Sequence, residues 1–544
     1  MWSQATRSPN AAVAPESAAP GEGVSSHAYL QSDDALLSLC EHPREAVALF
    51  RRRAGEPIEA AFANAIPAEC EELGVLPPLY PEWLGSAEFL QAHDLRFAYV
   101  AGEMARGIAT VEMVLAMADA RMLGFFGAAG LSLHEVEAAI DRIMKTPDMT
   151  RRAWGVNLIH SPNISGLENA LVELFLAREV RRVSASAFLA LSPAVVRYAF
   201  RGVRREPDGR IRRPNHLFAK VSRIEVARQF IAPPPLAMLA ALVGAGQLHE
   251  AEADLAAKLP VAEDVTAEAD SGGHTDNRPL SILLPALLAL RRELGRANPA
   301  CGLVRIGAAG GIGAPHAVAA AFALGADYVL TGSVNQASIE SGLSPQARAM
   351  LASAGITDVM MAASADMFEM GVKVQVLRRG TLFGPRANKL YELYRTHESL
   401  DALPAATRAQ LEKDVFRRPL ADILAETMAF FAARDPSELA RAERDPRHAL
   451  ALVFRWYLGL SSRWPINPDL SRQLDFQIWC GPAMGAFNDW TAGSFLAAPE
   501  NRGVVQIALN LLEGAVRLTR AQQLRAAGLK VPSEAFEFVA RPLS

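Results

Sequence analysis

Two glycine-rich segments are the first candidates for chemistry in this chain. They are Gly307–Gly313 and Tyr328–Ser333, and each joins an apolar run to small residues at the predicted start of a helix. Glycines at such a junction let backbone N–H groups approach a phosphate, and the helix N-terminus favours negative charge. The alternative is a pair of tight turns that need glycine for their backbone angles. Because two such segments follow one another, we favour a phosphate site.

The first segment does not form a dinucleotide-binding fingerprint. Gly307, Gly310, Gly311 and Gly313 lack the G-x-G-x-x-G spacing, and no acidic residue ends a strand about twenty residues further on. Asp327 precedes its strand rather than ending it. We therefore reject a Rossmann-type nucleotide site.

A histidine follows two glycines in Glu268–Asn277, at the end of another predicted strand. Gly272 and Gly273 allow the backbone to lie flat against a ligand. His274 then projects from the strand end, where an imidazole can donate or accept a proton near neutral pH. The alternative is a solvated loop histidine, but the position after Gly-Gly favours a catalytic role. Asp270 and Asp276 are the next candidates.

Two polar side chains interrupt otherwise apolar strands. Asn157 lies near the end of Trp154–Ile159. Its buried amide needs partners, which a planar heterocycle with imide edges or the backbone of a turn would supply. Lys220 lies near the end of Leu217–Val221. A lysine there needs an anion or carboxylate nearby, unless its stem only covers apolar surface.

The elements that must position these residues alternate along the chain. From Phe97 to about residue 341, eight short apolar runs are each followed by a helical segment, the last over 335–341. This alternation predicts a parallel sheet, and the length agrees with the ~250 residues of a (β/α)8 TIM barrel. A doubly wound sheet is the main alternative. The predicted strands are Phe97–Ala101, Leu123–Phe126, Trp154–Ile159, Arg182–Ser186, Leu217–Val221, Val265–Ala269, Val304–Ala308 and Tyr328–Thr331.

A barrel would bring the candidate residues to one face. Active sites of such barrels lie where the strands end, and a phosphate is commonly held after the seventh and eighth strands. The two glycine-rich segments take those two positions, and His274 follows the sixth strand. The order of the strands therefore strengthens both the phosphate and the histidine predictions.

The sequence outside the predicted barrel differs in composition and in the spacing of its apolar residues. Residues 1–27 are rich in Ala, Pro, Ser and Gly without an apolar period, which predicts a disordered leader. An N-terminal extension over 28–96 then precedes the barrel, predicted over 97–345. Residues 346–544 are predicted to form a mostly helical C-terminal region that serves a substrate or a partner.

Composition excludes several classes of protein. Half of the 544 residues are hydrophobic and 21% are charged, which excludes a mostly disordered chain. The net charge of −4 gives no global attraction to nucleic acid or anionic lipid. The apolar runs are shorter than the ~18 residues of a membrane span, and no signal peptide is expected. Four separated cysteines without a CxxC pair predict no metal site and a cytoplasmic location.

Four segments resemble the PfaD-type trans-acting enoyl reductases of polyketide and polyunsaturated fatty acid synthases. These are FMN-dependent barrels of the nitronate monooxygenase-like superfamily. The segments are Gly155–Pro162, Ala267–Asp276, Thr331–Ala337 and Gln477–Ala486, and the resemblance covers about residues 76–530. The last segment lies outside the barrel and favours the PfaD type over the wider superfamily.

The resemblance implies a cofactor, FMN, and a role for each matching residue. Gly102 and Asn157 should contact the isoalloxazine, and Lys220 would serve its negative N1/O2 side or the phosphate. His274 matches the active-site histidine. The predicted cofactor residues are Gly102, Asn157, Lys220, Gly272, Gly273, Gly310, Gly311, Gly332 and Ser333. This chain departs from the pattern at Glu103 and Arg106, which could pair with each other.

The implied activity is NADPH-dependent reduction of the 2,3 double bond of a carrier-bound enoyl thioester. The implied partners are synthase modules and an acyl carrier protein bearing the substrate on phosphopantetheine, and a homodimer is one option for the assembly. Two alternatives stay open, a nitronate monooxygenase and a non-catalytic scaffold of a synthase complex. The basic run Arg201–Arg213 is interpreted as a solvated loop, with contact to an acidic carrier or a nucleotide phosphate as the alternative.

Overall fold

The computed structural model describes residues 32–161, 164 and 166–544, so the leader predicted over 1–27 lies outside the described residues. The extension predicted over 28–96 contains a three-stranded antiparallel sheet in the order β2–β1–β3, flanked by two helices. Its elements are α1 (Asp33–Glu41), β1 (Val47–Arg51), β2 (Glu59–Phe62), β3 (Glu71–Leu76) and α2 (Ala87–His93).

The centre of the molecule is a closed barrel of eight parallel strands, β4–β5–β6–β7–β10–β11–β13–β14, which confirms the predicted TIM barrel. All eight predicted strands are present. The elements are β4 (Tyr99–Ala101), α3 (Val111–Asp119), β5 (Leu123–Phe126), α4 (Leu133–Lys145), β6 (Gly155–Ile159), α5 (Leu167–Ala177), β7 (Arg182–Ser186), α6 (Pro193–Phe200), β8 (Arg204–Arg205), β9 (Ile211–Arg212), β10 (His216–Val221), α7 (Ile224–Ile231), α8 (Leu236–Gly244), α9 (Glu250–Ala256), β11 (Asp264–Glu268), β12 (Gly273–His274), α10 (Leu280–Ala297), α11 (Pro299–Gly302), β13 (Arg305–Ala309), α12 (Pro315–Ala323) and β14 (Val329–Thr331).

Local sequence explains these elements. The barrel strands are short and apolar because both of their faces are buried, as in β5, where every residue is buried. The helices begin at polar caps: in α4, the Ser132 hydroxyl accepts from the Glu135 backbone and the Glu135 carboxylate accepts from that of Ser132. Val136, Ile140 and Ile143 then form the buried stripe of α4 against the strands.

The amino end of the barrel is closed by α2. Phe89 stacks on Tyr328 with ring centroids 4.4 Å apart. Next to it, fully buried His93 lies 3.0 Å from Asp264, whose carboxylate also accepts two hydrogen bonds from Arg305. This plug of aromatic and paired charged side chains leaves the carboxyl end of the strands, here called the mouth, as the end for a site.

The helix of the eighth barrel unit comes from far along the chain. The predicted helix over 335–341 is instead a 3-10 turn at Ser333–Ala337. The long helix α20 (Val504–Ala526) packs against both α12 and α3, the helices of the seventh and first units. The limits predicted for the barrel, 97–345, therefore hold all eight strands but not the helix that completes the outer ring.

The C-terminal region is mostly helical, as predicted, and adds a small sheet above the mouth. In that sheet β12 from the barrel pairs with β16, and β16 pairs with β15, both antiparallel. The elements are α13 (Pro345–Ala352), β15 (Val359–Ala363), β16 (Lys373–Leu377), α14 (Phe383–Thr396), α15 (Ala405–Leu411), a π-helical turn (Glu412–Phe416), α16 (Leu420–Arg434), α17 (Pro436–Arg444), α18 (Pro446–Ser461), α19 (Ala483–Thr491) and α20.

Within the described part of the chain, no single helix has the length and apolar character needed to cross a membrane. The bent pair α7 and α8, at 56° to each other, reaches that length and composition together. Both helices pack in the outer layer of the barrel, α7 against β10 and β11 and α8 against α6 and α9.

Candidate active site

A buried lysine at the mouth lies between two carboxylates. Lys220 Nζ is 3.2 Å from Glu103 Oε1 and 3.0 Å from Glu268 Oε1, at the ends of β10, β4 and β11. Burial alone lowers the pKa of Lys220, but the two carboxylates outweigh it, so the pKa lies above its ordinary value and the amine is an ammonium. Of the anion or carboxylate expected beside Lys220, the structure thus shows two carboxylates, and Glu103 pairs with Lys220 rather than with Arg106.

Glu103 has an unused acceptor. Its side chain is 4% exposed, and both of its carboxylate oxygens lack a hydrogen-bond donor among the described residues, beyond the ion pair with Lys220. A buried acceptor of this kind normally finds a donor. The carboxylate of Glu103 is therefore a group that a ligand N–H or O–H at the mouth could satisfy.

Asn157 is buried on β6, where its amide nitrogen donates to Ser184 O at 3.0 Å and to Ser186 Oγ at 2.8 Å. Both N–H groups are thus used by the neighbouring strand β7. Only Oδ1 remains to accept from a ligand. The backbone bond agrees with one of the two interpretations of Asn157, although the partner is a strand rather than a turn.

The glycine-rich segments after β13 and β14 leave open space at the mouth. A Cβ placed on Gly311 or Gly332 would meet no atom within 4 Å. We call these two residues the glycine cradle. Because β13 and β14 pair in parallel, the two glycines follow neighbouring strand ends. Next to Gly332, the Ser333 hydroxyl accepts a hydrogen bond from the Gly481 N–H at 3.1 Å.

The other predicted glycines pack against protein. A Cβ on Gly102 would lie 2.4 Å from Leu330, and one on Gly310 would lie 2.7 Å from the Ala269 backbone. A Cβ on Gly272 would lie 2.8 Å from the Cys480 nitrogen. These three positions therefore need glycine for close packing, whatever ligand contacts they also make.

His274 lies on β12, where it is paired with Val374 of β16. Its Nε2 is 3.3 Å from Asp366 Oδ2, and Ser364, at 3.4 Å from Nε2, also donates to Asp366. Burial lowers the pKa of His274, but the hydrogen bond and charge of Asp366 outweigh it and raise the pKa above its ordinary value. The Asp366 carboxylate therefore favours the imidazolium form of His274. No local sequence pattern pointed to Ser364 or Asp366.

The neighbouring acids are engaged elsewhere. Asp276 accepts from Ser222 and from both sides of the Arg223 fork, which lowers its pKa to about 2. It is therefore ionised at neutral pH and cannot act as an acid. Asp270 accepts from Gln375 at 2.7 Å, so Gln375 of β16 ties the loop after β11 to the C-terminal region.

The basic run forms the hairpin β8–β9 at the opposite end of the barrel, because it joins helix α6 to the start of β10. Arg204 and Arg212 pair with Glu206, and Arg210 pairs with Asp208. Arg213 is buried and donates to Pro260 O and Val261 O. The interpretation as a surface loop fits this geometry, and the hairpin is remote from the mouth.

Comparison with known proteins places these features in a family. Residues 397–476 match the model described as "[Acyl-carrier-protein] S-malonyltransferase, inserted helical domain". A polyunsaturated fatty acid synthase protein of Thraustochytrium sp. is 45% identical over 450 residues, 81% of this chain and 30% of that protein. Polyketide biosynthesis protein PksE of Bacillus subtilis is 44% identical over 454 residues, 83% of this chain and 59% of that protein. The chain thus spans less than two thirds of these relatives.

A solved structure matches over nearly its whole length. The enoyl reductase domain of MlnA, from the macrolactin biosynthesis cluster of Bacillus amyloliquefaciens, is 36% identical with a TM-score of 0.78. The match covers 82% of this chain and 99% of that domain. On this likeness and its motifs, the chain belongs to the PfaD-type enoyl reductase family that the MlnA domain represents.

Proposed function

We propose that this protein is an FMN-dependent enoyl reductase that uses NADPH to reduce carrier-bound 2-enoyl thioesters in trans. Its main support is the shared position of the open glycine cradle and the His274–Asp366 pair at one mouth. The 36% identity to the MlnA enoyl reductase domain supports the reaction class. The synthase relatives support a synthase context, in which we propose synthase modules and an acyl carrier protein as partners and the cytoplasm as the location.

The residues at the mouth fit FMN. Its phosphate would lie at Gly311 and Gly332, where the missing side chains leave room for it to approach the backbone N–H groups. Gly310 and Ser333 would flank it. Along the ring, Asn157 Oδ1 and the buried Glu103 carboxylate offer acceptors to an imide N–H, and the Lys220 ammonium offers positive charge. Gly102, Gly272 and Gly273 would line the ring.

When bound and reduced, FMN supplies a hydride to the β-carbon of an enoyl thioester. Negative charge then develops on the thioester oxygen and requires a hydrogen-bond donor. His274, held as an imidazolium by Asp366, provides that donor and can transfer its proton to the α-carbon. Its side chain is 29% exposed, so solvent can return the proton.

The nitronate monooxygenase alternative would use the same histidine as a base that removes a proton next to nitrogen. The large helical C-terminal region favours the enoyl reductase instead, because a small nitronate needs no such platform.

An absorbance spectrum of the purified protein, followed by two anaerobic additions, tests the proposal. We expect a flavin spectrum that NADPH bleaches and an enoyl thioester restores. A protein that stays colourless after incubation with FMN would contradict the proposal and support a scaffold. Restoration by a nitronate but not by an enoyl thioester would support the monooxygenase.

A further inference from the structure

Arg106 is held in an unusual backbone conformation at the mouth. Its φ of 58° lies in the left-handed region, which is uncommon for a residue other than glycine. Two hydrogen bonds fix this turn, from Arg106 N to Ala129 O at 2.7 Å and from Gly107 N to Gly127 O at 2.9 Å. The side chain lies over Gly130, where a Cβ would be 3.3 Å from Arg106 Cγ. Its direction is therefore set by the loop.

A second arginine approaches from the C-terminal region. Arg463 lies in the turn after α18. A short segment of chain, Gly342–Ser344, joins this turn to the loop of Arg106, and we call it the strap. Gly342 N donates to Ile108 O at 3.0 Å, and Ser344 N donates to Pro465 O at 2.8 Å. The strap therefore brings Arg106 and Arg463 to the same rim of the mouth.

Neither guanidinium has a direct acidic partner among the described residues, where no side chain accepts a hydrogen bond from Arg106 or Arg463 or forms an ion pair with either. The charges of Asp366, which holds His274, and of Glu135, which caps α4 through Ser132, act on Arg106 without such a contact. Burial, with the charge of Arg463, lowers the pKa of Arg106 to about 10, which leaves it cationic at neutral pH.

Two cations on one rim, Arg106 half-buried and Arg463 exposed, are suited to a multivalent anion. We propose that Arg106 and Arg463 bind a phosphate ester of a ligand that enters the mouth. The planar guanidinium fork matches phosphate oxygens with two parallel hydrogen bonds. This inference rests on the proposed function, which supplies two phosphate esters, the 4′-phosphopantetheine arm of a carrier and the phosphates of NADPH. It is distinct from the glycine cradle, which binds through backbone N–H groups.

Four proteins test the inference: wild type, Arg106→Ala, Arg463→Ala and the control Arg212→Ala. Arg212 is 65% exposed on the hairpin at the opposite end of the barrel. Calorimetry on the flavin-loaded proteins would measure binding of NADP+, which carries the phosphates of NADPH but cannot reduce the flavin, and of 4′-phosphopantetheine. Stopped-flow reoxidation would compare an enoyl thioester of 4′-phosphopantetheine with one of N-acetylcysteamine, which lacks the phosphate.

We expect each mouth variant to weaken one phosphate ligand by about ten- to hundredfold, as for other charge-assisted hydrogen bonds. The N-acetylcysteamine thioester should react as in wild type. Weaker binding of the dinucleotide identifies NADPH as the source of the phosphate ester. Weaker binding of 4′-phosphopantetheine identifies the carrier arm as the source. Arg106→Lys, which keeps the charge but not the fork, should restore part of the affinity and guards against a folding defect.

Unchanged binding of both phosphate ligands in Arg106→Ala and Arg463→Ala would overturn the inference. Loss of flavin from these variants, with an unchanged Tm, would also overturn it, because the phosphate would then be that of FMN. A wild-type protein that binds 4′-phosphopantetheine or NADPH but does not reduce an enoyl thioester would instead count against the proposed function alone.

Discussion

The Asp366 carboxylate lies 3.3 Å from Nε2 of His274, so the C-terminal region supplies the charge partner of a histidine from the barrel. The contact depends on the pairing of β12 with β16, which joins the two parts of the chain into one sheet. Asp366 thereby sets the protonation of His274 without itself occupying the barrel.

Replacing His274 with Ala should show whether His274 donates to the substrate or only supports the flavin. If His274 donates to the substrate, the variant keeps FMN and accepts hydride from NADPH, but its reoxidation by an enoyl thioester slows by about 10²–10³-fold. Stopped-flow flavin absorbance would time each half-reaction. The control His42→Ala lies in the N-terminal unit and should behave as wild type. An unchanged reoxidation rate would remove His274 from the mechanism.

Replacing Asp366 with Asn should shift the pH profile of reoxidation toward acid. Asp366 raises the pKa of His274, and the imidazolium that acts as donor is present below that pKa. Without the carboxylate, the donor is lost at a lower pH, while reduction by NADPH is unaffected. Asp401→Asn, at an exposed carboxylate in the same region, is the control. Identical profiles for wild type and Asp366→Asn would contradict the pairing.

Replacing Gly332 with Val should release FMN while leaving the Tm close to that of flavin-free wild type. Its φ of −124° lies outside the left-handed region, and the new side chain would enter the open space of the cradle. Gly459→Val, at another glycine with no atom within 4 Å, is the matched control and should keep FMN. Gly311→Val should also lose FMN, but its φ of 72° adds backbone strain of about 1 kcal/mol or more. Stoichiometric FMN in Gly332→Val would refute the phosphate assignment.

Replacing Lys220 with Met should destabilise the fold by about 3–5 kcal/mol, because buried Glu103 and largely buried Glu268 are left without their cationic partner. Protonation of the two carboxylates removes their charge. The loss in the free energy of unfolding should therefore be smaller at low pH and larger as the pH rises. Denaturant unfolding at several pH values measures it. Lys389→Met breaks an exposed pair with Glu392 and should cost under about 1 kcal/mol. Adding Glu103→Gln and Glu268→Gln to the Lys220→Met variant should restore most of the lost free energy of unfolding. A triple variant as unstable as Lys220→Met would contradict the charge explanation.

The alternation of short apolar runs with helical segments predicted all eight barrel strands, because each run is buried on both faces and each helix by one stripe. Strand order alone then placed His274 and the glycine-rich segments at one mouth, since parallel strands share their carboxyl edge. The place of Lys220 in an apolar strand predicted an anion or carboxylate beside it, but did not point to Glu103 or Glu268. The roles of the cofactor residues remain predictions.

Contacts between distant segments were decided by the tertiary structure. The eighth helix is α20 rather than the segment after β14, because packing between α12 and α3 depends on shape that the local pattern does not encode. Glu103 turns inward to Lys220 instead of pairing with Arg106, since a buried ammonium stabilises the carboxylate more than a partner at the rim. Asp366 reaches His274 through a sheet formed by two separate regions. The spacing of apolar residues predicts which face of each helix or strand is buried. The pairs Glu103–Lys220 and Asp366–His274 depend instead on which elements pack together, and that spacing does not encode this.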